Sequence, residues 1–578
     1  MSVRLRVKAW VVRAFLVLVL GSLTFSGTVS AKEVSLDLKI GDGSGWSFLG
    51  GTWTENVKGS RPLPDLMRSH KFFEDGVIMP PDKRNLHSRA FYKSQGLGDL
   101  TAEFGYNANY RETGSGIAGL ILRAVDANHF YFVYFPWVGQ QLYAKHFWAA
   151  VARVDGDGYL RNLKMVSVPG IPGETDRWYQ VRVEAKGPQI SVWVDGRNAL
   201  SVTDSTYKNG CVGLAGYGMY YFRNVHINGT VVLPPAWNDK AHIPTHAFTV
   251  GLNSVGMTTG SVALSPNGDV LLFGQKLEDG TAALARSKDK GRTWSLEKLT
   301  PKIHNEIIHL TRDGRLIFHR YHSKPAVYMS ESKDNGKSWS ETVSAKMPDN
   351  WPREKGRFDA YGSLVETEDG TLIRFLMAEV KWGGSKFDSA HTWGSMHFKA
   401  YAIRSTDGGK SWSAPIEIDR PTAYGKARGS IPGALDFTEV TGVAIGNRVM
   451  AVIRPVYSQT MWQSWSDDAG ATWDSAVRTT FPGYAQSMLR LKSGAILVAH
   501  RYPQFSVNVS RDNGLNWDEG TVIDYPVWGM GCMVEVEPDV VLCIYMNSGS
   551  GGQVLLAKEP LLVQLIRVTK GGIYPISP

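Results

Sequence analysis

The nonapeptide SKDNGKSWS at 332–340 is one of five copies of a single pattern, Ser-x-Asp-x-Gly-x-x-Trp. The others read SKDKGRTWS from 287, STDGGKSWS from 405, SDDAGATWD from 466 and SRDNGLNWD from 510, so successive copies begin 45, 73, 61 and 44 residues apart. A recurrence of about 45 residues is the period of a propeller or a solenoid, and the two longer gaps then carry insertions of roughly 30 and 15 residues. Between copies the chain is strand-like. GSVALSPNGDVLLFGQ (260–275) and SMLRLKSGAILVAHR (487–501) each set a glycine-containing turn between two apolar runs, the pattern of a hairpin. Each repeat unit is therefore a meander of short antiparallel strands.

The residue types of the repeat have physical reasons. An Asp side chain accepts hydrogen bonds from amides two or three residues on and closes a turn. Glycine at the next turn position tolerates positive φ. The Trp buries a large area and wedges between neighbouring meanders. Such a device holds a fold together, so any chemistry has to come from other residues.

These residues resemble the Asp-box, or bacterial neuraminidase repeat, of the sialidase superfamily. The resemblance implies an all-β, six-bladed β-propeller over 248–578 with its boxes at the periphery, the sixth blade being a box-less one from about 520 to 578. It also implies a site on the propeller axis, made of three arginines that clamp a substrate carboxylate, a Tyr nucleophile with a Glu beside it, and an Asp as acid/base. A guanidinium fork matches a carboxylate bidentately. A phenol needs a neighbouring carboxylate to take its proton before it attacks.

The first half has a different grammar. Residues 32–234 contain no repeat but alternate apolar and polar side chains in LTAEFGYNANY (100–110), HFYFVYF (129–135), YQVRVEAK (179–186), QISVWVDG (189–196) and YYFRNVHING (220–229). Period-two alternation bounded by Gly, Asp and Asn predicts a two-sheet antiparallel sandwich. The order of these segments resembles the concanavalin-like, laminin-G-like jelly rolls, whose members include sugar binders, spacers and a group that hydrolyses keto-disaccharides. Each of those roles stays open for this half. LPPAWNDKAHIPTH (233–246), with three prolines and no periodicity, marks a linker assigned to 235–247.

Residues 1–31 read as an export signal. Arg4, Arg6, Lys8 and Arg13 precede the apolar run AFLVLVLGSLTF (14–25), and Val29-Ser30-Ala31 is a small-residue cleavage site. A periplasmic or secreted protein is expected, without membrane insertion, since the apolar run is too short to span a bilayer. The signal holds four of the nine net positive charges, leaving +5 on the remainder. With no run of five basic residues, a nucleic-acid partner is not expected, whereas a mild positive bias suits an anionic glycan. Three cysteines exclude a disulfide framework. Cys532 and Cys543 flank a turn at 537–539 and read as a buried thiol pair across it. Neither CxxC nor HExxH occurs, and no cofactor or metal is expected.

Spacing to the nearest repeat places the implied site residues. In DFTEVTGVAIGNRVMAVIRPVYSQTMWQSWSDDAG (436–470), Glu439 and Arg454 match the family's Glu and an arginine, and Arg501 in AHRYPQFSVNVSRDNG (499–514) matches another. Asp279, in KLEDGTAALARSKDKG (276–291), falls where the acid/base would lie, although EDG is also a hairpin turn. Two parts are missing: GMTTGSVAL (256–264) contains no arginine, and PVWGMGC (526–532) no nucleophilic Tyr, with Tyr525 and Tyr545 nearby as strand residues. The insertion AEVKWGGSKFDSAHTWGSMHF (378–398) offers Lys381, Trp382, Asp388, His391 and Trp393 as a sugar-facing surface. Tyr457 and Trp462 add aromatic rings near Arg454. His304 and His309 are candidate bases for other chemistry.

The function expected is that of an exported exo-glycosidase that hydrolyses a terminal acidic sugar, sialic acid or another carboxylated one. Glu439 and Asp279 are its catalytic candidates, and Arg454, Arg501, Trp393, Trp462 and Tyr457 its substrate-binding ones. A non-catalytic polysaccharide-binding propeller, or a hydrolase or lyase for a different glycan, are the rival readings. Oligomeric state is left open.

Overall fold

The computed structural model describes residues 32–577 except 56–76, 80–87, 109–116, 137–145, 175–176, 218–219, 254–259, 300–306, 323–325, 352–357, 381–396, 419–436, 456–457, 459, 484–485, 526–530 and 547–559. Every regular element among the described residues is a β-strand, and no helix there is long and apolar enough to cross a membrane. The expected export signal lies outside the described residues.

The repeat-bearing half is a propeller. Four sheets of four antiparallel strands follow one another over 262–298, 307–344, 358–417 and 437–478. A closing sheet joins Cys532–Glu537, Val540–Met546, Pro560–Thr569 and Gly572–Ile576 to Phe248–Asn253, the first strand of this half, which pairs with Pro560–Thr569. Between the fourth sheet and the closing sheet lies a further meander, 487–524. The innermost strands touch in a closed circle, from Val262–Leu264 through Ile307–Leu310, Phe358–Glu366, Phe437–Ile445, Ser487–Arg490 and Cys532–Glu537 back to the first.

The expectation of six separate blades is corrected. Five sheets stand on their own, because the outer strand of the 487–524 meander, Thr521–Asp524, pairs with Leu160–Pro172 of the N-terminal half and fuses the two into one 18-stranded sheet. The last blade is also not built from 520–578 alone. Thr521–Asp524 belongs to the preceding meander, and the closing sheet borrows Phe248–Asn253.

The repeats show why the ring packs. In each copy the Ser hydroxyl donates to the Asp carboxylate. The Gly amide donates back to the Ser oxygen, and the amide four residues beyond the Asp donates to the carboxylate. The glycine and the residue before it (Lys290, Asn335, Gly408, Ala469, Asn513) are both left-handed. That turn presses each glycine onto the preceding sheet. A Cβ added at Gly336, Gly409, Gly470 or Gly514 would lie within 3.0 Å of Leu271, Met329, Ile373 or Met450 respectively, and one at Gly291 would meet Leu542 of the closing sheet at 2.4 Å. The Trp residues pack the same way: Trp339 on Phe273, Trp412 on His319 and Trp473 on Phe375, all across sheet boundaries.

The N-terminal half is two antiparallel sheets sharing the long strand Ser88–Ala108. Its first part pairs with Trp46–Leu49 and Gly210–Tyr217, its second with Tyr179–Lys186 and Tyr220–Val232. One apolar core fills the space between the sheets, around Phe104, Val133, Val183 and Phe222. A second cluster lies on the outer face of one sheet, where Phe91, Phe130, Phe132 and Trp148 pack with Trp237 and Ile243 of the linker and with Tyr502, Val522 and Tyr525 of the propeller. The three cysteines are free and buried. Cys532 and Cys543 are not a facing pair: Cys532 opposes Ile544 and Cys543 opposes Met533, so their side chains leave opposite faces of the sheet.

Two predictions test this frame. Gly409→Ala adds a Cβ 2.3 Å from the Met329 sulfur at a φ of +92°, and its stability in denaturant should fall by about 2 kcal/mol. An unchanged midpoint would show that the turn does not need glycine. The second concerns acid. Partial burial alone would raise the Asp334 and Asp407 carboxyls, but the donors of their own turns outweigh it and bring both from 3.8 down to about 2. A carboxyl whose folded pKa is depressed contributes stability above its unfolded pKa and loses it as pH falls through the folded one. The melting temperature should therefore drop between about pH 4 and about pH 2. The double variant Asp334→Asn/Asp407→Asn should be less stable at neutral pH and show a flatter acid limb in calorimetry.

Candidate functional site

Two strand irregularities build the centre of the site. In Phe358–Glu366 the ladder with Leu372–Val380 slips between Tyr361 and Leu364. Gly362, at φ +73°, carries the strand so close to its neighbour that an added Cβ would meet the Val440 carbonyl at 2.7 Å. The buried Arg374 fastens this bulge by donating to the Tyr361 carbonyl at 3.1 Å and to that of Gly362. In Phe437–Ile445 the ladder slips between Phe437 and Val440, where Glu439 lies. The Thr438 hydroxyl donates to the Arg454 carbonyl at 3.1 Å, and the Gln486 amide donates to the Glu439 carbonyl. A bulge re-aims a side chain, and these two bring Tyr361 and Glu439 of adjacent inner strands within electrostatic reach of each other.

The arginines come from equivalent places in neighbouring units. Val449 pairs with Ser466 and Ile496 with Ser510, the serines that open two of the repeats; Arg454 and Arg501 each follow five residues later. Arg454 is buried and donates through Nη1 to Glu439 Oε1 at 2.7 Å. Burial pushes its pKa down, Glu439 acts against that, and the charge of Arg501 adds to it. Burial likewise lowers Arg501, with Glu439 and Tyr361 opposing. The Tyr361 phenol is held well above its ordinary value by burial and the Glu439 charge, against the pull of both arginines. Its hydroxyl has no hydrogen-bond partner among the described residues. The structure thus brings Glu439, Arg454 and Arg501 within electrostatic reach of one another and adds Tyr361, to which spacing to the repeats did not point. Bulges on two strands decide that side chain's position, and only Gly362 hints at one of them in the sequence.

The other candidates fall elsewhere. Asp279 is exposed and closes a hairpin turn, accepting from the Thr281 amide at 2.8 Å. Its hydrogen bonds with Thr281 hold the carboxyl below its usual range. Trp462 is corrected as a sugar-facing ring. It is 3% exposed, packed against Phe437, with the Arg478 guanidinium 5.7 Å from its ring centre. Tyr525 lies in the cluster shared with the N-terminal half. Tyr545 is buried and donates to Asp524 while accepting from Gln564. His309 pairs with Glu366 at 3.4 Å, at the opposite strand ends from Arg454. Trp393, Tyr457, Lys381, Trp382, Asp388, His391 and His304 lie outside the described residues, as do the first four residues of GMTTGSVAL. No group of three or more His, Cys, Asp or Glu suited to a metal occurs among the described residues.

The arrangement can bind a carboxylate. Arg454 is bonded to Glu439 and Arg501 lies within its electrostatic reach, and a guanidinium fork matches a carboxylate bidentately. The Tyr361 phenol lies within electrostatic reach of the Glu439 carboxylate.

Comparison with known proteins gives a match for the N-terminal half. The family of 3-keto-alpha-glucoside-1,2-lyase-like domains matches residues 39–228. Among curated proteins none matches the chain. Among solved structures, a protein of unknown function from Dyadobacter fermentans is 15% identical over 56% of this chain and 98% of its own, with a TM-score of 0.41. A Hadza microbial sialidase is 14% identical over 82% of this chain and 94% of its own, with a TM-score of 0.40. An alpha-L-arabinofuranosidase from Fusarium graminearum is 13% identical over 56% and 98%, with a TM-score of 0.38.

Removing the central carboxylate should show how the arginines are held. Glu439→Gln removes the ion pair with the buried Arg454, at a cost of about 3 kcal/mol in denaturant unfolding. A small anion such as acetate should restore part of that loss. Full stability without added anion would mean that Glu439 does not hold the pair.

Proposed function

We propose that this is an exported glycan-acting exo-glycosidase that removes a terminal sugar bearing a carboxylate. The observation that carries the reading is the convergence of Arg454 and Arg501, from equivalent places in adjacent units, on Glu439 and Tyr361. Arg454 and Arg501 bind the sugar's carboxylate. Glu439, released in part from Arg454 as the substrate anion takes its place, accepts the Tyr361 proton. The phenolate oxygen then attacks the anomeric carbon as the bond to the leaving oxygen breaks, and the leaving oxygen takes a proton from solvent. Water later attacks the anomeric carbon and loses one proton to solvent, while the released Tyr361 oxygen takes back the proton held by Glu439. Phosphate and other anions would compete for the same two arginines, but only a carboxylated glycoside places a reacting carbon beside Tyr361.

The experiment is release of fluorophore from aryl glycosides by the protein lacking residues 1–31. Sialoside and glucuronide are compared with the neutral arabinofuranoside. Turnover confined to a carboxylated substrate is expected, with Arg501→Ala raising KM about 100-fold. Glu439→Gln and Tyr361→Phe should each lower kcat at least as far. Turnover of the neutral glycoside alone would end the proposal, as would full activity of Tyr361→Phe for the role given to that residue.

A second reading concerns the N-terminal half, whose match to a 3-keto-glucoside lyase-like family suggests an activity on keto-sugars there. Elimination would show as an unsaturated, ultraviolet-absorbing product that survives Glu439→Gln.

A further inference from the structure

We infer that the N-terminal half is a positioning element for the anion-binding pair, because it caps the turn that carries Arg501. This rests on the reading of Arg501 as a carboxylate ligand. The two arginines are held in different ways. Arg454 lies within its ladder, between Ile453, which pairs with Trp462, and Pro455, which pairs with Phe437. Its guanidinium is tied to Glu439. Arg501 lies beyond the last ladder pair of its hairpin, His500 with Ser506, in the turn 501–504 before the next strand begins at Phe505. No ladder pair of its own sheet fixes its backbone.

The neighbouring residue shows what does. Tyr502 is 6% exposed and lies in the cluster formed by Phe91, Phe130, Phe132 and Trp148 of the N-terminal half, with Val522 and Tyr525. The same meander is bonded to that half along its outer edge. Thr521 and Val522 pair with Arg161 and Leu160. Asn162 Nδ2 donates to the Glu519 carbonyl at 3.1 Å, and the Met165 amide donates to the Glu519 carboxylate at 3.1 Å. Farther along, Tyr159 Oη donates to Gln564 Oε1 at 2.7 Å. The turn is thus gripped from outside, while the Arg501 guanidinium lies within electrostatic reach of Glu439 and Tyr361. Consecutive Cα atoms are about 3.8 Å apart, so a shift of Tyr502 becomes a shift of Arg501, and a misplacement of about 1 Å costs on the order of 100-fold in a reaction that depends on geometry. The sheet face used for this grip is consumed by it and is not a free sugar platform.

Two arms test the inference in the protein lacking residues 1–31. The first reads hydrogen exchange of the 500–505 amides and needs no ligand. Tyr502→Ala should speed it, Tyr502→Phe should leave it near the parent rate, and Val183→Ala, which opens a cavity between the two N-terminal sheets, should leave it unchanged. The second reads the KM and kcat of the carboxylated aryl glycoside. Tyr502→Ala should raise KM about tenfold with kcat little changed, Tyr502→Phe should restore it, and Val183→Ala should not move it. Unchanged exchange in Tyr502→Ala, or a KM rise matched by Val183→Ala, overturns the positioning role. If the parent protein turns over no carboxylated glycoside, the reading of Arg501 fails instead, and the exchange arm still decides whether the N-terminal half holds the turn.

Discussion

Everything in this molecule hangs on a close contact made five times, a repeat glycine seated on an aliphatic side chain of the preceding sheet. The contact exists because the Asp carboxylate collects the amides of a turn and the Ser hydroxyl ties the glycine amide to it. Two successive residues are thereby left in the left-handed region. Without a Cβ the turn reaches the next sheet; with one it would stand off, and the Trp beside it would lose its seat. The ring closes by the same contact, Gly291 against Leu542, reinforced by the ion pair of Lys290 with Glu537. A ring closed by packing at its rim lets its inner strands depart from regularity.

Those departures are the site. The bulges at Tyr361–Leu364 and Phe437–Val440 break two inner ladders where they face each other. The result is a charge arrangement that a regular strand would not tolerate, with two guanidinium groups sharing one carboxylate beside a phenol that burial keeps protonated. Burial weakens the hold on both positive charges, while Glu439 supports them.

The join between the halves adds a second constraint. A strand pair, a set of side-chain bonds and an apolar cluster make the 487–524 meander part of two units at once. Its buried polar chain, Tyr159 to Gln564 to Tyr545 to Asp524, satisfies groups that would otherwise be costly at such a depth. Burial leaves the Asp524 carboxyl raised to about 6 even with Tyr545 donating to it. Tyr545, close in sequence to where a nucleophile was sought, is committed to this join.

By itself the sequence determined the class of fold and the periphery of the propeller. The repeat is a local device: its hydrogen bonds span a few residues, so the pattern of residue types is enough to read it. Strand alternation in 100–229 is local in the same sense. Glu439, Arg454 and Arg501 were singled out in the sequence by their spacing to a repeat, and the structure brings them within electrostatic reach of one another. Tertiary structure decided what depends on two distant segments meeting. Tyr361 joins the site only because Gly362 lets one inner strand lie against the next. Trp462 drops out as a sugar-facing ring because it is packed against Phe437, and Asp279 closes its own turn, outcomes that residue type does not distinguish. The fusion of the 487–524 meander with the N-terminal sheet rests on backbone pairing between Thr521–Asp524 and Leu160–Pro172, strands that lie about 360 residues apart. Nearly any side chain permits such pairing, so nothing in the sequence announces it.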